Sequence, residues 1–469
     1  MSSVTKGTNS SSASSASSAS SSPGAPSAAS GATSNAGSGL TRDLAVAARA
    51  AGAALSALSA ADRSALLREL AAALAEPDTR QAIFAANAAD LERARAAAAA
   101  GAPMPASIKR LGLDAAKLDS VIEGLRQLAA MPELTNQVTL RRELDDGLVL
   151  ERKSCPLGVL GVVFEARPDA LVQIVGLAWK SGNAALLKGG SEARESNRAL
   201  VAVIHRVLAA RGLDARATVL LEDRADVGAL LGLHGVVDLI VARGSSEFVQ
   251  HVQRNTRIPV MGHAAGVCHL YLHAGADPAM AARVAVDAKC SYPAACNSIE
   301  ALLWDPGAGA ALDAALAALA AAGVALRGCA ATRARHPELE AATDDDWGHE
   351  YGGLVLAVRQ VADLDGALGF IQRYGSRHTE AIVTGDRAAA ERFLTAVDAG
   401  SVFHNASNRF ADGFRYGLGA EVGVSTDKLH ARGPVGVEGL LTYRWLLRGD
   451  GQVTTAYGAG GRRYTHRDL

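Results

Sequence analysis

The chain is predicted to be an α/β protein, two doubly wound parallel-sheet lobes with a small oligomerisation element and a disordered N-terminal tail. Three observations carry that expectation. The first forty or so of its 469 residues are almost all Ser, Ala, Gly, Thr and Pro. A continuous apolar run at Leu157–Phe164 then opens a strand–helix alternation, and a second alternation follows Cys296. Strand, helix, strand at this spacing means right-handed βαβ units and parallel pairing.

Residues 1–39 form the predicted tail. Beyond Met1 and Val4 no large apolar residue precedes Leu40, so the segment cannot bury enough surface to offset its ordering entropy. It lacks the apolar stretch of a secretory signal, and one Lys with no Arg disfavours a mitochondrial presequence. From 41 to about 130 the chain is Ala/Leu-rich with helical spacing, as where Leu66, Leu67 and Leu70 share a face. Leu157–Phe164 suits a strand covered on both faces. Pro168 opens a helix with Leu171, Ile174, Val175 and Ala178 as its stripe, and strands are expected at 184–187, 218–221 and 236–241. After Cys296 come a strand at 299–304, a helix at 309–322, a strand at 354–358 and a helix at 363–374. A strand at 380–383, a helix at 386–397 and a strand at 401–404 complete the set. The Cys296 loop falls between two lobes, where ligands usually bind.

Composition excludes several functions. With 47 basic and 48 acidic residues the formal charge is −1 and no basic block stands out, so nucleic acid is not an expected partner. Val159–Phe164 and Ala310–Ala322 are too short or too alanine-rich to span a bilayer, so no membrane contact is expected. Five cysteines, at 155, 268, 290, 296 and 329, show no paired spacing of the metal-binding type, and no metal is expected. An odd count without a secretion signal suits a reducing cytoplasm.

Chemistry concentrates in a few loops. Cys296 follows a run of small residues, precedes Asn297 and sits ahead of an apolar strand; a thiolate there can attack a carbonyl and form a thioester. A buried cysteine acting as a small hydrophobe is the alternative. No Gly-x-Gly-x-x-Gly follows the first strand. Two other turns offer backbone N–H groups to an anion at a helix start, Leu187-Lys-Gly-Gly-Ser-Glu192 and Ala242-Arg-Gly-Ser-Ser-Glu247. In the first, Ser191 can cap the helix and Lys188 supplies a cation; ordinary Gly-Ser caps are the alternative. Glu350, ahead of a strand, can accept from ribose hydroxyls. His404, Asn405, Asn408 and Arg409 can grip a small polar substrate or merely satisfy their loop. His263 and His378 lie in loops near the cleft, with no role readable.

Together these segments resemble the gamma-glutamyl phosphate reductase branch of the aldehyde dehydrogenase superfamily. The matching stretches are Pro156–Pro168, Leu187–Glu192, Asn255–His263, Ala288–Asn297, Glu350–Gly353 and Gly400–Phe410 through to Gly433–Gly436, in order over roughly 41–455. The resemblance implies an aldehyde dehydrogenase-like fold with an NADP-binding domain at 40–285 and a catalytic domain at 286–435. A segment at 436–469 would return to the first domain and serve oligomerisation. It implies NADPH-dependent reduction of L-glutamyl 5-phosphate to L-glutamate 5-semialdehyde, with Cys296 as nucleophile and Asn297 beside it. Lys188 and Glu192 would contact the adenosine ribose, Ser245 would lie near the pyrophosphate and Glu350 would hold the nicotinamide ribose, with Gly189, Ser191 and Gly244 also cofactor-binding. Arg167, Asn405, Asn408 and Arg409, with Arg243, would bind substrate. A homo-oligomer is implied, with Gln137–Leu150 and the tail after Gly451 as exchanged edges, and transient contact with glutamate 5-kinase is a further expectation.

Two departures from the wider superfamily are informative. Hydrolytic members carry a general-base Glu in Glu-Leu-Gly-Gly, where this chain reads Met261-Gly-His-Ala-Ala-Gly266. They also place an Asn near the first strand's end, where Glu165-Ala-Arg stands here. Both argue against a hydrolytic semialdehyde dehydrogenase. An intact Cys296, Lys188 and Glu350 argue against a catalytically silent scaffold. Ala294 stands where the branch more often has Gly.

Overall fold

A computed structural model describes residues 31–100, 108–165, 167–263 and 265–469. The expected tail therefore lies outside the described residues up to 30. Positions 31–39, assigned to that tail, instead open the helix Gly31–Ala57. Adding a turn to an existing helix costs far less than nucleating one, and Ala45, Ala48 and Leu55 are buried against the first lobe.

Three further helices, Ala60–Ala75, Pro77–Ala99 and Ala115–Ala130, complete the N-terminal layer. Ser59 caps the first by accepting from Asp62 N–H, and Asp114 caps the last from Lys117 N–H. Leu66, Leu67 and Leu70 are buried together, as their spacing predicts. They join Leu118, Leu125, Leu171 and Ile174 in one core against the helix Pro168–Lys180.

That core covers a five-stranded parallel sheet in the order Thr218–Leu220, Ala184–Gly189, Val159–Phe164, Leu239–Arg243, Val260–Met261. The strand order reverses at Val159–Phe164, which is buried along its whole length. Its register sets Phe164 opposite both Gly189 and Arg243. Three strand ends thus meet on one rim, the place where doubly wound sheets bind ligands.

The second lobe is a seven-stranded parallel sheet, in the order Glu340–Ala341, Ala325–Gly328, Val355–Gln360, Ile299–Trp304, Cys268–Leu272, Thr379–Val383, Ser401–His404. Cys268–Leu272 and the helix Pro278–Cys290 belong to it, so this lobe starts well before the expected 285/286 boundary. The polar His269 interrupts the apolar run that would have marked the strand; it is buried on Glu380. The expected strand at 236–241 is displaced to Leu239–Arg243, because Val236 and Val237 turn back onto Leu233.

A separate antiparallel sheet joins Leu441–Arg448, Leu148–Pro156, Val138–Asp145 and Arg467–Asp468. Asp146-Gly147 makes the hairpin between its inner strands, with Gly147 at φ +69°. Among the described residues no single helix is long and apolar enough to cross a membrane.

Candidate active site

The two lobes enclose a cleft of about 560 Å³ whose wall includes Cys296, His263, Arg243, Arg167, Arg409 and Glu350. Cys296 lies on the loop between the helix Pro278–Cys290 and the strand Ile299–Trp304. The loop is fastened from three sides. Ala295 N–H donates to Tyr292 O and Ser298 N–H to Ala295 O, while Cys268 Sγ donates to Cys296 O at 3.3 Å. Asn297, buried, donates through Nδ2 to Ala411 O at 2.8 Å. Its amide therefore ties the loop to the 408–411 segment and is not turned to the substrate.

Gly266, just ahead of the strand Cys268–Leu272 in the same lobe, makes that loop possible. A Cβ there would stand 2.2 Å from Cys296 O and 2.6 Å from its Cα. The same residue's N–H donates to Glu350 Oε2 at 2.9 Å. Glu350 thus braces the backbone behind Cys296, an attachment its loop position did not reveal.

His378, like His263, has no role readable from its own neighbourhood in the chain. It is buried directly ahead of the strand Thr379–Val383, with Nε2 3.2 Å from Cys296 Sγ and Nδ1 2.8 Å from Thr379 Oγ1. His263 meets it edge to face at 5.1 Å between ring centres and bonds Val424 O through Nδ1 at 3.2 Å. Burial holds His263 below the usual imidazole pKa, so it is neutral. The signal for the dyad was long-range: Cys296 and His378 are 82 positions apart.

Basic groups collect around the sulfur. Arg243 is partly covered, and its Nη1 is enclosed without a hydrogen-bond partner. Burial, with Arg167 close by, lowers its pKa from the ordinary guanidinium value. Arg409 is also lowered by burial and then by Arg415; its Nε donates to Ser291 Oγ at 3.2 Å. Glu421 is raised by burial, and its carboxylate accepts from Gly413 N–H at 2.8 Å.

Asn405 and Asn408 do not reach this cleft. Asn405, at φ +54°, pairs with Thr384 through both amide atoms. Asn408 is fully buried and donates to His269 O and Thr379 O. Asn405 holds the backbone of Thr384 and Asn408 that of two neighbouring strands, so both satisfy backbone groups as the alternative reading allowed.

The strand-end rim beside the cleft is where a dinucleotide would lie. Lys188 is buried with Nζ donating to Gly189 O at 2.7 Å, and Gly189 has no room for a side chain beneath Asn197. Burial lowers the Lys188 pKa against the pull of Asp226 and Glu192. Ser191 starts a 3-10 turn and caps nothing; the helix Arg194–Ala210 takes its cap from Asp90, which accepts from Glu195 and Ser196 N–H. That corrects the expectation of free donors at this helix start. At the second turn Ser245 caps the helix Ser246–Arg254, and its own N–H donates to Glu165. Burial first, and Glu192 next, raise the Glu165 pKa. An ammonium and a carboxylate over the strand ends suit ribose hydroxyls, so the residues present fit a nicotinamide dinucleotide.

No family model matches the chain. It is 54% identical over 424 residues to the gamma-glutamyl phosphate reductase of Synechococcus sp. (strain JA-3-3Ab), covering 90% of this chain and 93% of that protein. The crystal structure of gamma-glutamyl phosphate reductase from Thermotoga maritima aligns with a TM-score of 0.84 at 32% identity, over 88% of this chain and 99% of that one. An acetylating aldehyde dehydrogenase from Geobacillus thermoglucosidasius shares the fold, with a TM-score of 0.62 at 15% identity over 90% of this chain and 99% of that one.

Proposed function

The chain belongs to the gamma-glutamyl phosphate reductase family, and from that premise we propose how its cleft reduces L-glutamyl 5-phosphate to L-glutamate 5-semialdehyde in the second step of proline synthesis. The observation that carries the reading is the contact between Cys296 Sγ and His378 Nε2 at 3.2 Å inside a cleft lined by guanidinium groups.

His378 takes the thiol proton, and the thiolate attacks the acyl carbon. The carbonyl becomes an oxyanion, held by backbone N–H groups of the Cys296 loop. Its collapse breaks the C–O bond to phosphate and leaves a thioester on Cys296. Arg167, Arg243 and Arg409 pair with the departing phosphate and the substrate carboxylate, for which guanidinium forks suit both charge and geometry. The nicotinamide cofactor, when bound, supplies the hydride. Collapse of the resulting thiohemiacetal releases the aldehyde, and the proton on His378 returns to sulfur. The 261–266 loop carries no carboxylate to activate water. The thioester is thereby spared hydrolysis, which disfavours a hydrolytic dehydrogenase, and the assembled thiol, imidazole and guanidinium groups disfavour a silent scaffold.

Lys188 and Glu192 would hold the adenosine ribose, Gly244 and Ser245 the pyrophosphate once Glu165 swings away, and Glu350 the nicotinamide ribose. NADP(H) is the proposed cofactor, on the strength of the family resemblance, with which the Lys188 ammonium is compatible. A reducing, cytoplasmic setting suits five unpaired cysteines. The exposed alternate residues Tyr443, Trp445 and Leu447 form one apolar face of the strand Leu441–Arg448, which suits a homo-oligomer. A transient contact with glutamate 5-kinase is proposed from chemistry alone, because an acyl phosphate that cyclises favours direct handover.

The testing experiment is oxidation of glutamate 5-semialdehyde with NADP or NAD, with and without phosphate, in wild type and Cys296→Ser. Phosphate-dependent reduction of NADP that vanishes in the variant is expected. Equal rates without phosphate would instead establish a hydrolytic enzyme.

A further inference from the structure

We propose that His263, Cys296 and His378 form a binding site for a soft divalent cation, Zn²⁺ by their ligand chemistry, and that its occupation reversibly closes the active site. The three side chains converge from different elements and from both lobes. His263 follows the first-lobe strand Val260–Met261, while Cys296 and His378 belong to the second lobe. Their donor atoms all lie within 4.8 Å of one another.

The distances are those of a site one small adjustment from closure. A tetrahedral Zn²⁺ with Zn–N near 2.0 Å and Zn–S near 2.3 Å sets its ligands about 3.3–3.6 Å apart. Cys296 Sγ and His378 Nε2, at 3.2 Å, stand a few tenths of an ångström inside that separation. His263 has only to rotate toward them.

The outer shell is built as metal sites build it. Val424 O can only accept, so His263 Nδ1 carries the proton and Nε2 keeps its lone pair. Thr379 Oγ1 can accept from His378 Nδ1 in the same way, leaving Nε2 toward the sulfur. A ligating histidine normally donates its other ring N–H to just such a partner, which fixes tautomer and ring orientation.

The charge around the trio decides which cation can enter. Arg243 and Arg409 both feel the Cys296 sulfur and oppose any cation that does not neutralise itself on a thiolate. Glu350 and Glu421 act on His263 in the opposite sense. One thiolate and two imidazoles select Zn²⁺ or Co²⁺ over Mg²⁺ and Ca²⁺, which demand oxygen ligands. Binding forms an S–metal bond and releases the thiol proton to solvent, with no change of oxidation state. The sulfur lone pair that would attack the acyl carbon is then engaged.

The test uses the full-length protein, stripped with EDTA, kept reduced with a phosphine and titrated with Co²⁺ and then Zn²⁺. One equivalent of Co²⁺ should bind with a sulfur-to-cobalt charge-transfer band that Zn²⁺ displaces. The band should vanish in both Cys296→Ser and Cys296→Ala and persist in Cys155→Ser and Cys290→Ser. His263→Gln and His378→Gln should each weaken Zn²⁺ binding by roughly 10- to 100-fold, the order seen when metal sites lose even supporting groups. A band that survives both Cys296 variants, wild-type affinity in both histidine variants, or no binding at all would each overturn the site. The readout needs no substrate, so it stands or falls separately from the reductase reading.

Discussion

The imidazole of His378 lies 3.2 Å from the sulfur of Cys296, although 82 positions separate them in the chain. Because His378 is buried and its far nitrogen is held by Thr379, the ring is a fixed proton acceptor for the thiol. His378→Gln keeps a polar side chain but cannot shuttle a proton. Its kcat should fall about 10²- to 10⁴-fold, the usual worth of general acid–base catalysis. Alkylation of Cys296 by iodoacetamide near neutral pH should slow in parallel. A variant with wild-type kcat would remove His378 from the mechanism.

Gly266 tests how finely the nucleophile loop must be placed. A methyl group at this position would stand 2.2 Å from Cys296 O, so the Cys296 loop or the Gly266 segment must shift. Misplacement of reacting groups by about 1 Å can cost roughly 10²-fold in rate. Gly266→Ala should therefore lose about that factor in kcat while retaining a cooperative thermal transition. Unimpaired turnover would mean that the loop tolerates the displacement.

Arg243 presents an enclosed Nη1 without a partner inside the cleft. Donors left unmade in a native fold cost stability unless a ligand completes them. Arg243→Gln should raise KM for the acyl phosphate more than it lowers kcat, with kcat/KM down by about 10- to 150-fold, the worth of a hydrogen bond to a charged group. Loss confined to kcat would instead place Arg243 at the transition state.

The lobes and their order were legible in the chain because buried parallel strands write themselves as unbroken apolar runs, as in Val159–Phe164. The strand Cys268–Leu272 was not, since His269 sits in its centre, and the lobe boundary moved with it. The cysteine loop and the basic residues were readable from their own neighbourhoods. His378 was not, because its partner lies across the sheet rather than along the chain. Asn405 and Asn408 were readable as polar but not as to which way they face; both turn inward to backbone groups, and no local pattern distinguishes that from a substrate site.

Behind Glu350, Lys289 and Glu300 form a fully buried ion pair, with Lys289 also donating to Ile299 O and lying over the Tyr351 ring. Burial lowers the Lys289 pKa and pushes Glu300 up to about 7, in spite of the attraction between them. For Glu300 the folded value exceeds the unfolded one. Its contribution is therefore complete below about pH 4.5 and declines as pH rises toward 7. Glu300→Gln removes that decline and leaves Lys289 buried without its counter-charge, which destabilises the fold by about 3–5 kcal/mol. In the variant, a lysine whose folded pKa is depressed binds fewer protons than it does unfolded, so stability should rise with pH as the ordinary lysine value of 10.5 is approached. Urea denaturation of both proteins between pH 5 and 10 reads the two slopes. Parallel curves would show that the pair titrates in neither protein and that its role is packing alone.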